Sequence, residues 1–294
     1  MLFALYEKKE AAMRLQRIVT TGVTFVLALH AGVAVAVQVE VPGSANPNLA
    51  GRADGYSCCS GDSVPAQAAV EAAGLSFAPT DVLTFDVSGQ VSFGGGPVSG
   101  DNPDGDSIFS MTNYGDGISA PQYVKTNALL GVFLGDASPT GGVTPAQMSF
   151  FDSGLGFAWL APQIGQIFFI GDGLTSDSNG PSPGTGNSQA FIVPAGATRL
   201  FFGTCDGVGW YNNTGIFTVD VTATPRGCGD PAATLGINAV DALFILKVGI
   251  GLETCALCVC DTDGSGSFSA SDALLALQTG VGVPVDLLCP ACGG

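Results

Sequence analysis

The chain has 294 residues, with 9 Lys+Arg against 25 Asp+Glu and a formal net charge of −16. A protein this acidic repels nucleic acid and anionic membrane surfaces, so neither is expected as a partner. Its only histidine is His30, and the only glutamates after residue 36 are Glu40, Glu71 and Glu253. That composition excludes Ser-His-Asp catalysis, Cys-His nucleophiles and histidine metal sites from the remainder of the chain. A hydrolase built on two aspartates stays compatible with it, because acid and base need only carboxyls at a suitable separation. Twenty aspartates make chance pairs common, so such a pair carries little weight, and the protein is expected to be non-catalytic.

Met13-Arg14-Leu15-Gln16-Arg17 leads into an apolar run over residues 18–36 that ends in Ala34-Val35-Ala36. Two arginines, an uncharged core and small residues at −3 and −1 are the three regions of a secretory signal, with cleavage expected after Ala36. The run also approaches the length of a membrane helix, but its peptidase-like end favours a cleaved signal. Loss of residues 1–36 leaves 5 Lys+Arg and 23 Asp+Glu, a net of −18. The expected location is secreted, extracellular or at the cell surface, with no membrane insertion after cleavage.

Residues 37–224 are rich in Gly, Ser, Pro, Phe and Val. Residues 81–93 place Leu83, Phe85 and Val87 on one alternation. Residues 129–134 and 166–170 are more continuously apolar. Residues 191–194 stop at Pro194-Ala195-Gly196, and residues 200–203 and 216–221 follow. The last run alternates Phe217, Val219 and Val221 with Thr218 and Asp220. Many short strands between turn signals predict a mainly β domain, a jelly-roll-like β-sandwich. About 190 residues are enough for one sizeable core.

Between two of these strands lies Thr204-Cys205-Asp206-Gly207-Val208-Gly209-Trp210-Tyr211-Asn212-Asn213-Thr214. Asp206, Asn212 and Asn213 offer side-chain oxygens of the kind calcium takes, six to eight at a time. The same residues are ordinary in a hairpin turn. Trp210 and Tyr211 offer rings that could stack on a sugar or pack at a rim. The strand, the aspartate, the Gly-containing loop and the Asn-Asn pair resemble the calcium loop of the galactose-binding bacterial lectins of the PA-I type. Further landmarks recur in order at Val91-Ser92-Phe93-Gly94, Asn102-Pro103-Asp104 and Ala128-Leu129-Leu130-Gly131-Val132. The region also resembles a family of secreted bacterial proteins that share the ending running from Pro194 through Tyr211-Asn212-Asn213 to Gly215 and Phe217.

The lectin resemblance implies a calcium ion held by Asp206, Asn212, Asn213 and carbonyls near Phe93 and Val208 or Gly209. It also implies a carbohydrate bound at the ion beside Asp206 and Asn212, with Asn102 at a sugar-contacting position, and Trp210 is the ring expected to stack on it. The loop is one residue shorter than in those lectins, Asn102 stands where they carry histidine, and Gly105 where they carry glutamine. A galactose-like sugar is therefore a looser expectation than calcium.

Residues 225–294 carry two helical patterns and six cysteines, Cys228, Cys255, Cys258, Cys260, Cys289 and Cys292. Residues 261–272 read as a twelve-residue calcium loop, the alternative being an Asp/Gly/Ser turn before a capped helix. Asp261, Asp263 and Ser265 stand at positions 1, 3 and 5, and Gly266 makes the turn at 6. Ser267 gives its carbonyl at 7, Phe268 plugs the core, Ser269 stands at 9 and Asp272 closes at 12. A helix over residues 273–279 follows, with Ala273-Leu274-Leu275-Ala276-Leu277 as its face.

This arrangement resembles a dockerin type I repeat, which implies calcium and a cohesin-like protein partner. Residues 230–241 repeat the spacing thirty-one residues earlier, but Ala232, Thr234 and Leu235 replace two ligands and the turn glycine. That first loop is read as metal-free. The cysteine spacing allows a four-thiolate zinc site, whereas export favours disulfides, and six cysteines leave 15 pairings open. Cys58, Cys59 and Cys205 form an odd set, which leaves one thiol free or intermolecular.

Overall fold

The computed structural model describes residues 34–95, 102–176, 184–232 and 236–290. Most of the apolar N-terminal run, positions 5 and 6 of the first loop, and Cys292 lie outside them. The described residues are mainly β, 30% strand against 13% helix. All belong to one compact unit, Val33–Gly294. None of their helices is long and apolar enough to cross a membrane.

The strands run β1 (Val35–Pro42), β2 (Ser57–Cys58), β3 (Asp62–Ser63), β4 (Val70–Glu71), β5 (Val82–Ser92), β6 (Ile108–Phe109) and β7 (Val124–Lys125). They continue as β8 (Leu129–Leu134), β9 (Trp159–Leu160), β10 (Ile167–Phe169), β11 (Leu174–Ser176) and β12 (Thr185–Ser188). The last three are β13 (Ala190–Ile192), β14 (Arg199–Thr204) and β15 (Thr214–Thr224). One sheet has the order β1-β15-β5-β13-β9, and a second has the order β10-β8-β14-β4. The cut expected after Ala36 falls inside β1, where Val35 and Ala36 pair with Ala223 and Thr222. Residues 37–42 would still pair with β15.

Alternation decides what each strand buries. Leu83, Phe85 and Val87 on β5 face the same cluster as Phe217, Val219 and Val221 on β15. Leu129, Phe133, Phe168, Leu200 and Phe202 enter that cluster from the second sheet. Phe85 meets Phe191 and Phe202 edge-on, at 4.9 and 5.9 Å between ring centroids. The other faces of β8, β10 and β14 feed a second cluster through Leu130, Val132, Ile167, Phe169 and Phe201. The second sheet is thus covered on both sides, which is why β8 and β10 read as unbroken apolar runs. Trp210, Cys205 and Cys59 close the second cluster beneath the loops.

Two glycines let the long β5–β15 ribbon come together. Gly89 pairs with Phe217 and Gly215 with Val91. Both have positive φ, +101° and +88°. A Cβ on Gly89 would meet the Ile216 carbonyl oxygen at 2.3 Å, and one on Gly215 would meet that of Gln90 at 2.2 Å.

After β15 the chain forms helices α1 (Ala239–Gly249), α2 (Leu257–Cys260) and α3 (Ala270–Gly280). The repeat seen in the sequence is also a repeat of structure. Asn238 and Ser269 cap α1 and α3, and Asp241 and Asp272 complete a capping box at each. Gly280 packs against Ile237 and Asn238, and Gly249 against Phe268 and Ser269, so each helix end abuts the other helix start. Ala242, Ile245, Val248, Ala273 and Ala276 fill the space between them with Val259. In α3 it is the alanines that face inward, while Leu274 and Leu277 point outward. The face expected from residues 273–277 is therefore narrower than the run of leucines suggested.

Disulfides staple this small helical region, as a poor core demands. Cys228 is joined to Cys289 and Cys255 to Cys260, and Cys258 is disulfide-bonded as well. These bonds remove the thiolates that a zinc site would need, so the zinc reading is overturned. In the β-region Cys58 is joined to Cys59, and Cys205 is the buried free thiol of the odd set. Burial and the neighbouring Asp206 carboxylate push its pKa well above the ordinary thiol range.

The tail packs on the β-region where Trp159 meets Phe244 edge-on at 5.8 Å. Arg226 stands at the same junction, largely desolvated, which pushes its pKa down to about 10 against the pull of Asp230, Asp241 and Asp81.

Gly215→Ala should lower unfolding stability by at least about 1 kcal/mol, since neither the φ nor the space admits a methyl group. Urea unfolding of the variant should show an earlier midpoint at unchanged slope. A midpoint equal to that of the parent would mean that the ribbon relaxes without cost.

Candidate metal centres

The tail loop begins where α2 ends and closes inside the first turn of α3. Asp261 and Asp272 are buried and Asp263 is half-buried, and each has a carboxylate oxygen within 4.8 Å of the others. Backbone geometry forces this meeting. Gly264 and Gly266 adopt positive φ, +71° and +80°, and the loop folds round its own acids. The Asp261 carboxylate accepts the N–H groups of Ser265 at 2.9 Å and Gly266 at 2.8 Å. Asp263 accepts the Ser265 N–H at 3.0 Å and the Ser271 hydroxyl at 2.7 Å. Asp272 accepts the N–H groups of Asp263 and Ser269 at 3.1 and 2.8 Å.

The Ser265 hydroxyl donates to the Ser267 carbonyl at 3.2 Å, which brings positions 5 and 7 together. Ser269 spends its hydroxyl on the Asp272 carboxylate at 2.9 Å and its oxygen on the cap. Phe268 packs on the helical core. The converging groups are carboxylate, hydroxyl and carbonyl oxygens, with no nitrogen or sulfur ligand among them. That is the donor set of a hard cation such as calcium.

The first loop keeps the same frame. Asp241 accepts the Ala232 N–H at 3.0 Å and the Asn238 N–H at 2.9 Å. These are the equivalents of the Asp263 and Ser269 donors to Asp272. Ala232 supplies no carboxylate at position 3, and burial raises the Asp241 pKa, with Asp230 adding to the rise.

The second group lies at the end of the β5–β15 ribbon. Asp206 follows β14, and Asn212 and Asn213 precede β15. The Asn213 amide nitrogen donates to the Asp206 carboxylate at 2.9 Å and to the Gly43 carbonyl at 3.2 Å. The Gly94 N–H faces the amide oxygens of Asn212 and Asn213 at 3.1 and 3.3 Å. Phe93, exposed, precedes that glycine. The residues read from the sequence as one centre are therefore neighbours in space.

Two expected sugar contacts are corrected. Trp210 is fully buried in the second core cluster, and its indole N–H donates to the Thr204 carbonyl at 2.9 Å. It is a packing residue, and the ring that faces out is Tyr211, 61% exposed. Asn102 is buried, and its amide oxygen accepts the Asp104 N–H at 2.7 Å. It serves a turn, with 2% of its surface exposed.

Asp62 was not legible as a site residue. It is buried on β3, far from the loop in sequence, and its carboxylate accepts the N–H groups of Trp210 at 3.2 Å and Tyr211 at 3.1 Å. The only local signal was the tight Cys58-Cys59-Ser60-Gly61-Asp62 turn.

No protein-family model matches the chain, and no curated protein is significantly similar to it.

The Asp263 carboxyl is held down at about 2, below the ordinary 3.8, first by the Ser271 hydroxyl and then by Ser265. A depressed carboxylate contributes stability above its unfolded value and loses it as pH falls through the folded one, here from about 3.8 towards about 2. In metal-free protein, carbon-detected titration should find an Asp263 midpoint near 2, and Ser271→Ala should move it up towards 3.8. A midpoint at the ordinary value in the parent would rule out the hydrogen bonds from Ser271 and Ser265 to this carboxylate.

Proposed function

We propose that this is an exported, non-catalytic, calcium-dependent carbohydrate-binding protein with a dockerin-like tail for protein docking. The observation that carries calcium is the convergence of Asp261, Asp263 and Asp272 within 4.8 Å on a loop lined by oxygen donors. Three carboxylates brought this close repel one another, and a divalent cation relieves that repulsion. The two packed sheets support a jelly-roll-like sandwich over residues 37–224, and the paired capping boxes support the dockerin-like reading of residues 225–294. The disulfides support an oxidising, extracellular location.

Carbohydrate binding rests on Asp206, Asn212 and Asn213 standing beside the Phe93–Gly94 backbone, with Tyr211 exposed next to them. Docking rests on the tail's outward leucines. Leu243 and Leu274 are equivalent in the repeat and both 54% exposed, and Leu246 and Leu277 are 41% and 39% exposed. Repeated apolar positions turned to solvent suit a protein partner, cohesin-like by the resemblance. A second reading is a structural surface protein whose calcium and disulfides only rigidify it. The burial of Trp210 and Asn102 favours that reading, since it removes two of the four sugar contacts.

Calorimetric titration of the full chain should find two calcium sites. Asp261→Ala should remove one and Asp206→Ala the other. At a hundredfold excess over its Kd, each ion adds about 2.7 kcal/mol if the unfolded chain does not bind it, so chelator should lower the Tm by several degrees. Unchanged titration of Asp261→Ala would sink the tail assignment. A glycan array with and without chelator separates the two readings: calcium-dependent sugar signals support the first, and silence with an intact Tm shift supports the second.

A further inference from the structure

We propose that Asp62 is the positioning residue of the 206–213 loop, and that its buried carboxylate sets where Asn212 and Asn213 carry their amide oxygens. The inference deepens the calcium reading of the β-region and rests on it for the metal. Trp210–Asn212 form a short 3-10 turn. Gly209 precedes it at φ +80° and has no side chain to cap it. The first N–H groups of such a turn need acceptors.

Asp62 supplies them from 148 residues away, with Oδ2 on the Trp210 N–H and Oδ1 on the Tyr211 N–H. Two consecutive N–H groups on the two oxygens of one carboxylate fix the peptide planes between them. Trp210 is thereby sent into the core and Tyr211 out to solvent. Asn212 and Asn213 follow immediately, and their amide oxygens reach the Gly94 N–H.

The carboxylate is itself held from behind. Asn46 donates to Oδ2 at 3.3 Å, and Asn46 in turn accepts the N–H and side-chain amide of Asn48. The β2–β3 hairpin pairs Cys58 with Asp62 across the ladder, and the Cys58–Cys59 bond joins the two residues that lead from β2 into the turn. Burial raises the Asp62 pKa, while the Tyr211, Trp210 and Gly209 N–H groups and Asn46 pull it back. A charged acceptor makes stronger hydrogen bonds than a neutral one, so the chemistry favours a carboxylate over an amide here.

The test is Asp62→Asn, which keeps the shape but leaves one oxygen for two N–H donors, made in the full chain on an Asp261→Ala background that silences the tail. Calcium is titrated by calorimetry, and hydrogen exchange of the Gly94, Trp210 and Tyr211 amides is read by NMR without metal. The expected result is at least a tenfold weaker calcium Kd and faster exchange at all three amides. Asp62→Glu, which restores the charge on a longer arm, should recover part of both.

If the parent binds no calcium at the β-region, the metal reading fails, and loss of Gly94 protection in Asp62→Asn still supports the positioning role. Unchanged Gly94 exchange in Asp62→Asn overturns the proposal, whatever the Tm does. So does an unchanged Kd where the parent binds.

Discussion

The antiparallel pairing of β5 with β15 is the constraint from which the other features hang. It runs for eleven residue pairs, from Val82 with Thr224 to Ser92 with Thr214. At one end it delivers Phe93 and Gly94 beside Asn212 and Asn213. At the other it delivers Thr224 to the junction where Arg226, Asp81 and the tail meet. Strand register has a period of two, so a slip of one residue would turn Phe217, Val219 and Val221 out of the core and pull both ends out of place. The two loops with candidate metal chemistry are thus placed, directly or through the tail, by one ribbon.

Much of that ribbon was legible. Residues 216–221 and 81–93 alternate cleanly because one face of each meets the core and the other meets solvent or an edge. β8 was legible to the residue for the opposite reason, since both of its faces are covered. The ends were less clear. β15 begins at Thr214 rather than Ile216 because the pairing continues past the apolar pattern as far as Ser92. The tail helices were visible through their apolar patterns and the repeat, and α3 starts three residues before the predicted 273 because Ser269 is its N-cap.

The candidate centres were legible in proportion to how local they are. Residues 261–272 fold on themselves, so their spacing already states their geometry. The loop around Asp206 was half legible. Asp206, Asn212 and Asn213 lie within eight residues of one another, but their partner Gly94 is more than a hundred residues away. Trp210 illustrates what spacing leaves out: its neighbours are polar and loop-forming, which suggested exposure, yet a distant carboxylate turns its ring inward. Asn102 failed for a related reason, because a short polar side chain can serve its own turn as readily as a ligand.

A chain with so few basic residues has to settle many carboxylates by other means, and the structure uses several. Asp116 is held low first by the Gly141 N–H, then by the Tyr56 hydroxyl, with Arg52 2.8 Å away. Asp62 relies on backbone N–H groups and an amide. Asp230 and Asp241, in the first tail loop, have the guanidinium of Arg226 beside them. In the second tail loop Asp261, Asp263 and Asp272 accept N–H and hydroxyl groups, with their carboxylates within 4.8 Å of one another.

The two tail loops share a frame and differ in how their charge is met. The first lost position 3 to Ala232 and lies against an arginine fixed at the β-region junction. The second kept all three acids and lies away from any such partner in its hydrogen bonding. The shared frame is thus used in two ways: one copy lies at the junction of the tail with the β-region, and the other brings three carboxylates within 4.8 Å of one another, oxygen donors of the type that suits a hard cation.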